Sequence, residues 1–129
     1  MAYNILVVDD SATVRAMITK TLGMAGLDLQ EIHQAKNGRE ALDLLQTHWI
    51  DLVLTDINMP EMDGLEMVQT MAADGLLRTV PVVVVSTEGS ETRIQELRQQ
   101  GIRGYVRKPF TPEEVKAVVE NVLGGQDER

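Results

Sequence analysis

The 129-residue chain contains no cysteine, so disulfide bonds and thiolate metal sites are excluded. It also lacks an uninterrupted apolar run long enough to span a bilayer. Its first residues lack the basic and apolar regions of a signal peptide. Internal repeats, linkers and low-complexity segments are absent as well. We therefore expect a cytoplasmic protein without a membrane partner, folded as one domain of a size that can bury a core unaided.

Positive charge is scarce, with 12 lysine and arginine residues against 20 aspartate and glutamate residues and a net charge of −8. Because an acidic surface repels phosphate backbones, this balance argues against general binding of nucleic acid. Acidity alone does not identify a partner.

The chain does contain a regular alternation of short apolar runs and helical patterns. Three runs, at residues 5–8, 52–55 and 82–85, are almost wholly apolar, which predicts parallel strands covered by helices on both faces. The patchier segments 29–34 and 104–107 predict edge strands. Apolar residues at helical spacing predict five helices, and the fourth, near residues 90–100, has few core positions.

Five β-α units predict an α/β fold, namely a flavodoxin-like, doubly wound, five-stranded parallel sheet of order 2-1-3-4-5 with five helices. Three helix starts carry a capping residue followed three positions later by glutamate: Asn37 with Glu40, Asp63 with Glu66, and Thr111 with Glu114. We expect residues 1–124 to form this domain and 125–129 a flexible tail, with no output domain.

Four of the runs end in residues suited to phosphate chemistry: Asp9 and Asp10, Asp56, Ser86 and Thr87, and Lys108. Because the carboxyl ends of parallel strands share one edge of the sheet, we expect these side chains to converge there. Three carboxylates repel one another unless a cation lies among them, and such an oxygen-rich cluster suits Mg²⁺. A metal ion, a lysine and a hydroxyl around one carboxylate form a site competent for phosphoryl transfer.

Each of these residues has a simpler interpretation when taken alone. Asp10 could cap the following helix, and Asp56 could form a turn. Ser86 or Thr87 could bind a loop backbone, and Lys108 could be a solvated charge. Their joint occurrence at separate strand ends favours one site. Trp49, just before the third strand, is expected to be a packing anchor.

Two other kinds of site remain as alternatives. A Mg²⁺-dependent phosphatase with an aspartyl nucleophile needs the same residue types, but such enzymes put an Asp-x-Asp motif after the first strand, where this chain has adjacent acids. A flavin- or nucleotide-binding module would need a glycine- or hydroxyl-rich loop at that position. Asp9 and Asp10 would repel the phosphate that such a loop binds.

Four segments together resemble the receiver domain of bacterial two-component response regulators, and in particular the stand-alone chemotaxis regulators of the CheY type. They are Val8-Asp9-Asp10-Ser11, Thr55 to Gly64, Ser86-Thr87-Glu88, and Gly104 to Phe110. The resemblance covers essentially the whole chain, with the motifs in the family's order.

The resemblance implies that Asp56 accepts a phosphoryl group from a phosphohistidine of a CheA-type histidine kinase. Asp10, Asp56 and the backbone carbonyl of Asn58 would bind Mg²⁺, and Asp9 would act mainly through a metal-bound water. Lys108 would pair with Asp56 and then with the phosphoryl group. It also implies a cis peptide bond between Lys108 and Pro109.

The resemblance further implies a switch. The phosphoryl group would recruit the Ser86 hydroxyl, and Tyr105 would rotate inward, although packing on a helix also explains that ring. The output face would comprise the fourth helix, fifth strand and fifth helix. Asn58 and Glu88 would tune self-dephosphorylation.

A flagellar motor-switch protein is the expected target of this monomer, and a phosphatase is a further partner. Two residues depart from the best-known motor-binding regulators: Arg107 replaces an apolar residue and Val118 replaces a lysine. A phosphate sink or a phosphorelay intermediate therefore remains an alternative.

Overall fold

A computed structural model describes residues 2–76, 79–87 and 91–127 of the chain. Strands and helices alternate along the sequence. The strands are β1 (Tyr3–Val8), β2 (Leu29–Ala35), β3 (Leu52–Thr55), β4 (Val82–Ser86) and β5 (Gly104–Arg107). The helices are α1 (Ala12–Met24), α2 (Gly38–Thr47), α3 (Gly64–Ala73), α4 (Glu91–Gln100) and α5 (Pro112–Asp127).

The five strands form one parallel sheet of order β2-β1-β3-β4-β5, which confirms the predicted fold and strand order. The two patchy segments, β2 and β5, are the edge strands. The three apolar runs occupy the centre, where helices cover both faces of the sheet.

Alternation along the strands divides the core into two layers. Leu6 and Val8 of β1 point into the layer shared with α2, α3 and α4. Ile5 and Val7 point into the opposite layer, shared with α1 and α5. Because successive side chains of a strand face opposite sides, a wholly apolar run supplies both layers at once. The sheet is thereby fixed from both faces, and the loops at its carboxyl edge rest on a rigid support.

The helix boundaries follow the capping signals. Asn37 and Asp63 accept hydrogen bonds from the backbone N–H groups of Glu40 and Glu66, at 2.9 Å each. Thr111 and Glu114 form a reciprocal capping box, with bonds of 3.1 and 2.9 Å. In α4 the only buried side chain among the described residues is Leu97, in keeping with its sparse apolar pattern.

Helix α5 continues to Asp127, three residues beyond the predicted end of the domain at residue 124. The division into domain and tail stays a prediction. Among the described residues, no helix combines the length and the hydropathy needed to cross a membrane.

Candidate functional site

The carboxyl edge of the sheet brings Asp9, Asp10 and Asp56 together, as the order of the strands requires. Strands β1 and β3 are neighbours, and their last residues, Val8 and Thr55, are paired in register. One carboxylate oxygen from each aspartate lies within 4.8 Å of the other two. The predicted convergence of the three acids is therefore observed.

Asp9 is the most buried of the three acids, with 2% of its surface exposed. Its Oδ1 accepts a hydrogen bond from the Ser11 backbone N–H at 2.9 Å, and its Oδ2 lies 2.8 Å from the Lys108 Nζ. Helix α1 is capped by the Ser11 hydroxyl, which accepts from the Val14 N–H at 3.2 Å. The capping interpretation of Asp10 is therefore wrong, and its exposed side chain takes part in the acidic cluster.

Asp56 follows β3 and is partly buried. Its Oδ1 accepts a hydrogen bond from its neighbour's backbone, the Ile57 N–H, at 2.7 Å, and its Oδ2 lies 3.5 Å from the Lys108 Nζ. Burial raises the pKa of Asp56 above its ordinary value of 3.8, opposed by the Ile57 N–H and the Lys108 charge and reinforced by Asp9. The carboxylate is held in place but incompletely neutralised, which favours the approach of a cation.

Lys108 bridges the acids from the far side of the site. It follows β5, and its backbone N–H donates to the Ser86 carbonyl at 2.9 Å. The Lys108–Pro109 peptide bond is cis, as the resemblance implies. The resemblance implies that Lys108 pairs with Asp56, and this ion pair is present at 3.5 Å. The Lys108 Nζ is nevertheless closer to Asp9, at 2.8 Å, because the buried Asp9 carboxylate needs a counter-charge most.

The loop between β3 and α3 carries Asn58, whose side chain is exposed. The loop begins at the buried Ile57, whose carbonyl accepts from the Gly64 N–H at 2.7 Å. A Cβ at Gly64 would lie 2.5 Å from the Asp56 carbonyl oxygen, so only glycine allows this close approach. These contacts place the Asn58 backbone directly after the acidic cluster.

Ser86 and Tyr105 lie on the β4–β5 side of the site. Ser86 is buried, Thr87 is exposed, and the Tyr105 hydroxyl donates to the Ser86 carbonyl at 3.4 Å. The half-buried Tyr105 ring packs against the core layer that contains Leu97 of α4. Glu88, predicted to tune dephosphorylation, lies outside the described residues.

Three further residues support the site in ways that the sequence did not indicate. The buried Thr55 hydroxyl donates to the Asp56 carbonyl at 2.9 Å. The Arg15 Nη1 donates to the Asp9 carbonyl at 2.7 Å, and the buried Asn37 contacts the β3–α3 loop. Arg15 lies in α1 and Asn37 caps α2, both outside the four motif segments, and only their positions in space link them to the site.

The expectation that Trp49 is a packing anchor is wrong. Trp49 is 78% exposed, and its Nε1 donates to the Asp51 Oδ1 at 3.0 Å. It precedes β3 at the amino edge of the sheet, where Ile50 rather than Trp49 turns into the core. Position next to a strand did not reveal which of the two neighbouring side chains would be buried.

The donor set fits a hard divalent cation. All three converging side chains offer carboxylate oxygens, and Asp10 opens the cluster to solvent. Mg²⁺ takes oxygen ligands and keeps several waters, so a half-open acidic site suits it better than a closed cage would.

The chain combines a doubly wound parallel sheet with an acidic cluster and a lysine at the carboxyl edge, which is the arrangement expected of a receiver domain. The chain matches the family described as "Response regulator receiver domain" over residues 5–120. It is 40% identical over 121 residues to a chemotaxis protein CheY homolog of Campylobacter jejuni, covering 93% of this chain and 92% of that protein.

Solved structures give the same result. Chemotaxis protein CheY4 of Vibrio cholerae superposes with a TM-score of 0.84 at 35% identity, over 95% of this chain and 100% of that one. CheY in a CheX–CheY–BeF₃–Mg²⁺ complex from Borrelia burgdorferi superposes with a TM-score of 0.81 at 28% identity, over 93% and 88% of the two chains. The chain belongs to the response regulator receiver domain family, and the relatives named above are CheY proteins.

Proposed function

We propose that this receiver domain is a phosphorylation-controlled switch in which Asp56 accepts a phosphoryl group from a phosphohistidine of a CheA-type histidine kinase. The observation that best supports this proposal is the arrangement of charged side chains at the carboxyl edge of the sheet. Three carboxylates lie within 4.8 Å of one another, and Lys108 contacts both Asp9 and Asp56. The match of the chain to the receiver domain family supports phosphoryl transfer to Asp56 rather than hydrolysis of an external phosphate ester.

In the proposed reaction, a carboxylate oxygen of Asp56 attacks the phosphorus of the donor. A P–O bond forms as the P–N bond to the donor imidazole breaks, and the imidazole retains the electron pair of that bond and takes up a proton. The Asp56 Oδ1 is held by the Ile57 N–H, so Oδ2, which faces Lys108, is the oxygen better placed to react. The protein catalyses only its own phosphorylation and dephosphorylation.

Asp10, Asp56 and the Asn58 carbonyl would bind Mg²⁺, and Asp9 would contribute mainly through a bound water. The ion supplies neutralisation of the charge that builds up on the transferred phosphoryl oxygens. Lys108 contributes a second positive charge from the opposite side. Its contact with the buried Asp9 keeps the ammonium group within reach of Asp56.

The switch would begin at Ser86 and reach the surface formed by α4, β5 and α5. The Ser86 carbonyl accepts hydrogen bonds from both the Lys108 N–H and the Tyr105 hydroxyl. Recruitment of the Ser86 hydroxyl by a phosphoryl oxygen would therefore disturb the Tyr105 contact directly. Because α4 buries only Leu97 among its described side chains, it is the element that such a disturbance can move most easily.

Signal lifetime would depend on Asn58, two residues after the acceptor, and on Glu88, two residues after Ser86. The exposed Asn58 side chain is free to orient an attacking water, and we expect self-dephosphorylation in seconds to minutes. Unchanged decay of the phosphorylated protein in both Asn58→Ala and Glu88→Ala variants would contradict this role.

The output is proposed to be chemotaxis through a flagellar motor-switch protein, with a CheX-type phosphatase as a further partner. The names of the relatives support this pathway. Arg107 is exposed on β5, whereas Val118 of α5 is partly buried against the core and lies beside Gly104. Val118 is therefore explained by packing, and Arg107 is the departure that can change partner choice.

Phosphorylation is tested with acetyl phosphate and Mg²⁺, followed by intact-protein mass spectrometry. We expect one added phosphoryl group in the wild type and none after Asp56→Asn or with EDTA. Asp43→Asn, an exposed carboxylate on α2, is the charge-matched control and should be phosphorylated normally. Equal modification of the Asp56→Asn variant would contradict the assignment.

The partner is tested by capture from native lysate with Mg²⁺, with and without beryllofluoride as a phosphoryl mimic. Capture of motor-switch proteins only with the mimic would support chemotaxis output. Equal capture in both states would count against a switch.

A further inference from the structure

Three turns meet at the carboxyl edge beside the acids, and the β2–α2 turn supplies no carboxylate to the cluster. It nevertheless contacts both of the segments that do. The Ala35 carbonyl accepts from the Asp9 N–H at 3.1 Å, which ties the turn to the end of β1. The Asn37 side chain, 2% exposed, reaches the β3–α3 loop on the other side.

The Asn37 side-chain amide makes two hydrogen bonds, one through its oxygen and one through its nitrogen. Its Oδ1 caps α2 by accepting from the Glu40 N–H at 2.9 Å. Its Nδ2 donates to the Glu61 Oε2, also at 2.9 Å. Beside it, the Gly38 N–H donates to the Met62 carbonyl at 2.9 Å, so side chain and backbone join the same two segments.

Glu61 lies in the β3–α3 loop and has an unusual backbone conformation that contacts with neighbouring segments must hold in place. Its φ of 64° is in the left-handed region that residues other than glycine rarely adopt. The loop is anchored on one side by the buried Ile57, and on the other by the contacts of Glu61 and Met62 with the β2–α2 turn. Asn58, whose carbonyl is the proposed metal ligand, lies between these anchors.

The same segments border the acidic cluster. Asp10, Asn37 and Glu61 line one cleft of about 280 Å³ together with Lys36 and Pro60. A displacement of Glu61 would therefore alter both the loop that holds Asn58 and the surroundings of Asp10.

We propose that Asn37 and Glu61 are a positioning pair that holds the β3–α3 loop in register with β1, and so sets the affinity of the acidic cluster for Mg²⁺. The pair touches neither the metal nor the phosphoryl group and acts through the loop. This inference rests on the proposed function, because it concerns the same metal site.

The test separates the two ends of the Asn37 amide. Asn37→Asp keeps the oxygen that caps α2, since aspartate is an equally good cap, but replaces the donor facing Glu61 with a carboxylate. Adding Glu61→Gln restores a donor, now on residue 61, and returns the net charge to that of the wild type. The Asn37→Asp variant and the double variant thus differ in this hydrogen bond while both keep the cap.

Mg²⁺ affinity is measured by isothermal titration calorimetry at neutral pH, with no phosphodonor present. We expect Asn37→Asp to bind Mg²⁺ about tenfold more weakly, the size of effect typical of residues that orient metal ligands. The double variant should return to within about twofold of the wild type. A purely electrostatic effect would do the opposite, because an added negative charge near the site would tighten Mg²⁺ binding.

Asn121→Asp, exposed on α5 near the amino edge of the sheet, adds the same charge far from the site and should leave the affinity unchanged. Glu61→Asp keeps the charge and the cap but shortens the side chain that accepts from Asn37, and it should also weaken binding, which keeps the test informative if Asn37→Asp folds poorly. Unchanged or tighter binding by a folded Asn37→Asp variant, or no recovery in the double variant, would overturn the proposal.

Failure of this inference is distinguishable from failure of the proposed function. If the wild type is phosphorylated on Asp56 but Asn37→Asp binds Mg²⁺ normally, only the positioning pair is wrong. If Mg²⁺ binding follows the expected pattern but Asp56 is never phosphorylated, the positioning pair stands and the phosphoacceptor role is wrong.

Discussion

Asp56 carries a negative charge that the fold itself disfavours, so removal of that charge should stabilise the protein. The side chain is partly buried and stands within 4.8 Å of two other carboxylates. Asp56→Asn keeps the size of the side chain and an oxygen that can accept from the Ile57 N–H. We therefore expect the variant to unfold at a higher temperature than the wild type when no divalent cation is present.

The magnitude follows from burial and from the distances. At an effective dielectric constant of about 20, two like charges at the 4.8 Å limit of the cluster repel by about 3.5 kcal/mol, and an opposite charge at the 3.5 Å of Lys108 attracts by about 5 kcal/mol. The attraction by Lys108 therefore offsets the repulsion by Asp9, and Asp10 is exposed and screened by water, so burial of the charge is the largest remaining cost. For this partly buried carboxylate we expect a net gain of about 1–2 kcal/mol, or about 4–8 °C in Tm.

The stabilisation expected from Asp56→Asn depends on pH in a definite direction. Burial raises the pKa of Asp56 above 3.8, so the folded protein holds this proton more tightly than the unfolded chain does. The contribution of Asp56 to the free energy of unfolding therefore falls as pH rises from below 3.8 through its folded-state pKa. The advantage of Asp56→Asn should be full at neutral pH and should vanish well below pH 3.8.

The assay is thermal unfolding followed by circular dichroism, at low salt with EDTA, over a series of pH values. Asp43→Asn on the exposed face of α2 is the control for loss of one charge from an acidic protein, and its Tm should change far less. Mg²⁺ should raise the Tm of the wild type more than that of Asp56→Asn. A Tm for Asp56→Asn at or below the wild type at neutral pH without Mg²⁺ would refute the reasoning.

Three further predictions concern stability. Lys108→Ala should lower the free energy of unfolding by about 3 kcal/mol in urea titrations without Mg²⁺, because it leaves the buried Asp9 carboxylate without a counter-charge, and added Mg²⁺ should recover part of that loss. Gly64→Ala should cost about 1–3 kcal/mol in the same titration and weaken Mg²⁺ binding in calorimetry, since its Cβ would lie 2.5 Å from the Asp56 carbonyl oxygen; a fully stable variant would contradict this. Trp49→Ala should change the Tm by no more than about 2 °C, because the ring is 78% exposed, and a large drop would mean that the ring is buried after all.

The fold was predictable because the central strands are apolar on both faces. A run such as residues 5–8 can satisfy neither an amphipathic helix nor a half-exposed strand, which leaves a parallel strand between two helical layers. The helix starts were equally predictable, since Asn37, Asp63 and Thr111 supply their own capping groups. These signals lie within the elements that they predict or directly beside them, so they can be recognised without the tertiary structure.

Contacts between distant turns could not be predicted in the same way. Nothing in the sequence around Asn37 indicates that its amide also reaches Glu61, 24 residues further along the chain. Nor does the spacing of Asp9, Asp56 and Lys108 reveal that the lysine lies closer to Asp9 than to Asp56. Such choices depend on how the helices and loops pack once the sheet has formed.

The sequence by itself determined the order of the strands, the edge at which the acids converge and the residue types offered there. These follow from alternating apolar runs and from the rule that parallel strands end on one side. The tertiary structure alone decided how charge is distributed within the site: Asp9 buried against Lys108, Asp56 partly buried with a raised pKa, and Asp10 open to solvent. The physical reason is that burial and distance, which set the energy of a charge, are properties of packing rather than of sequence.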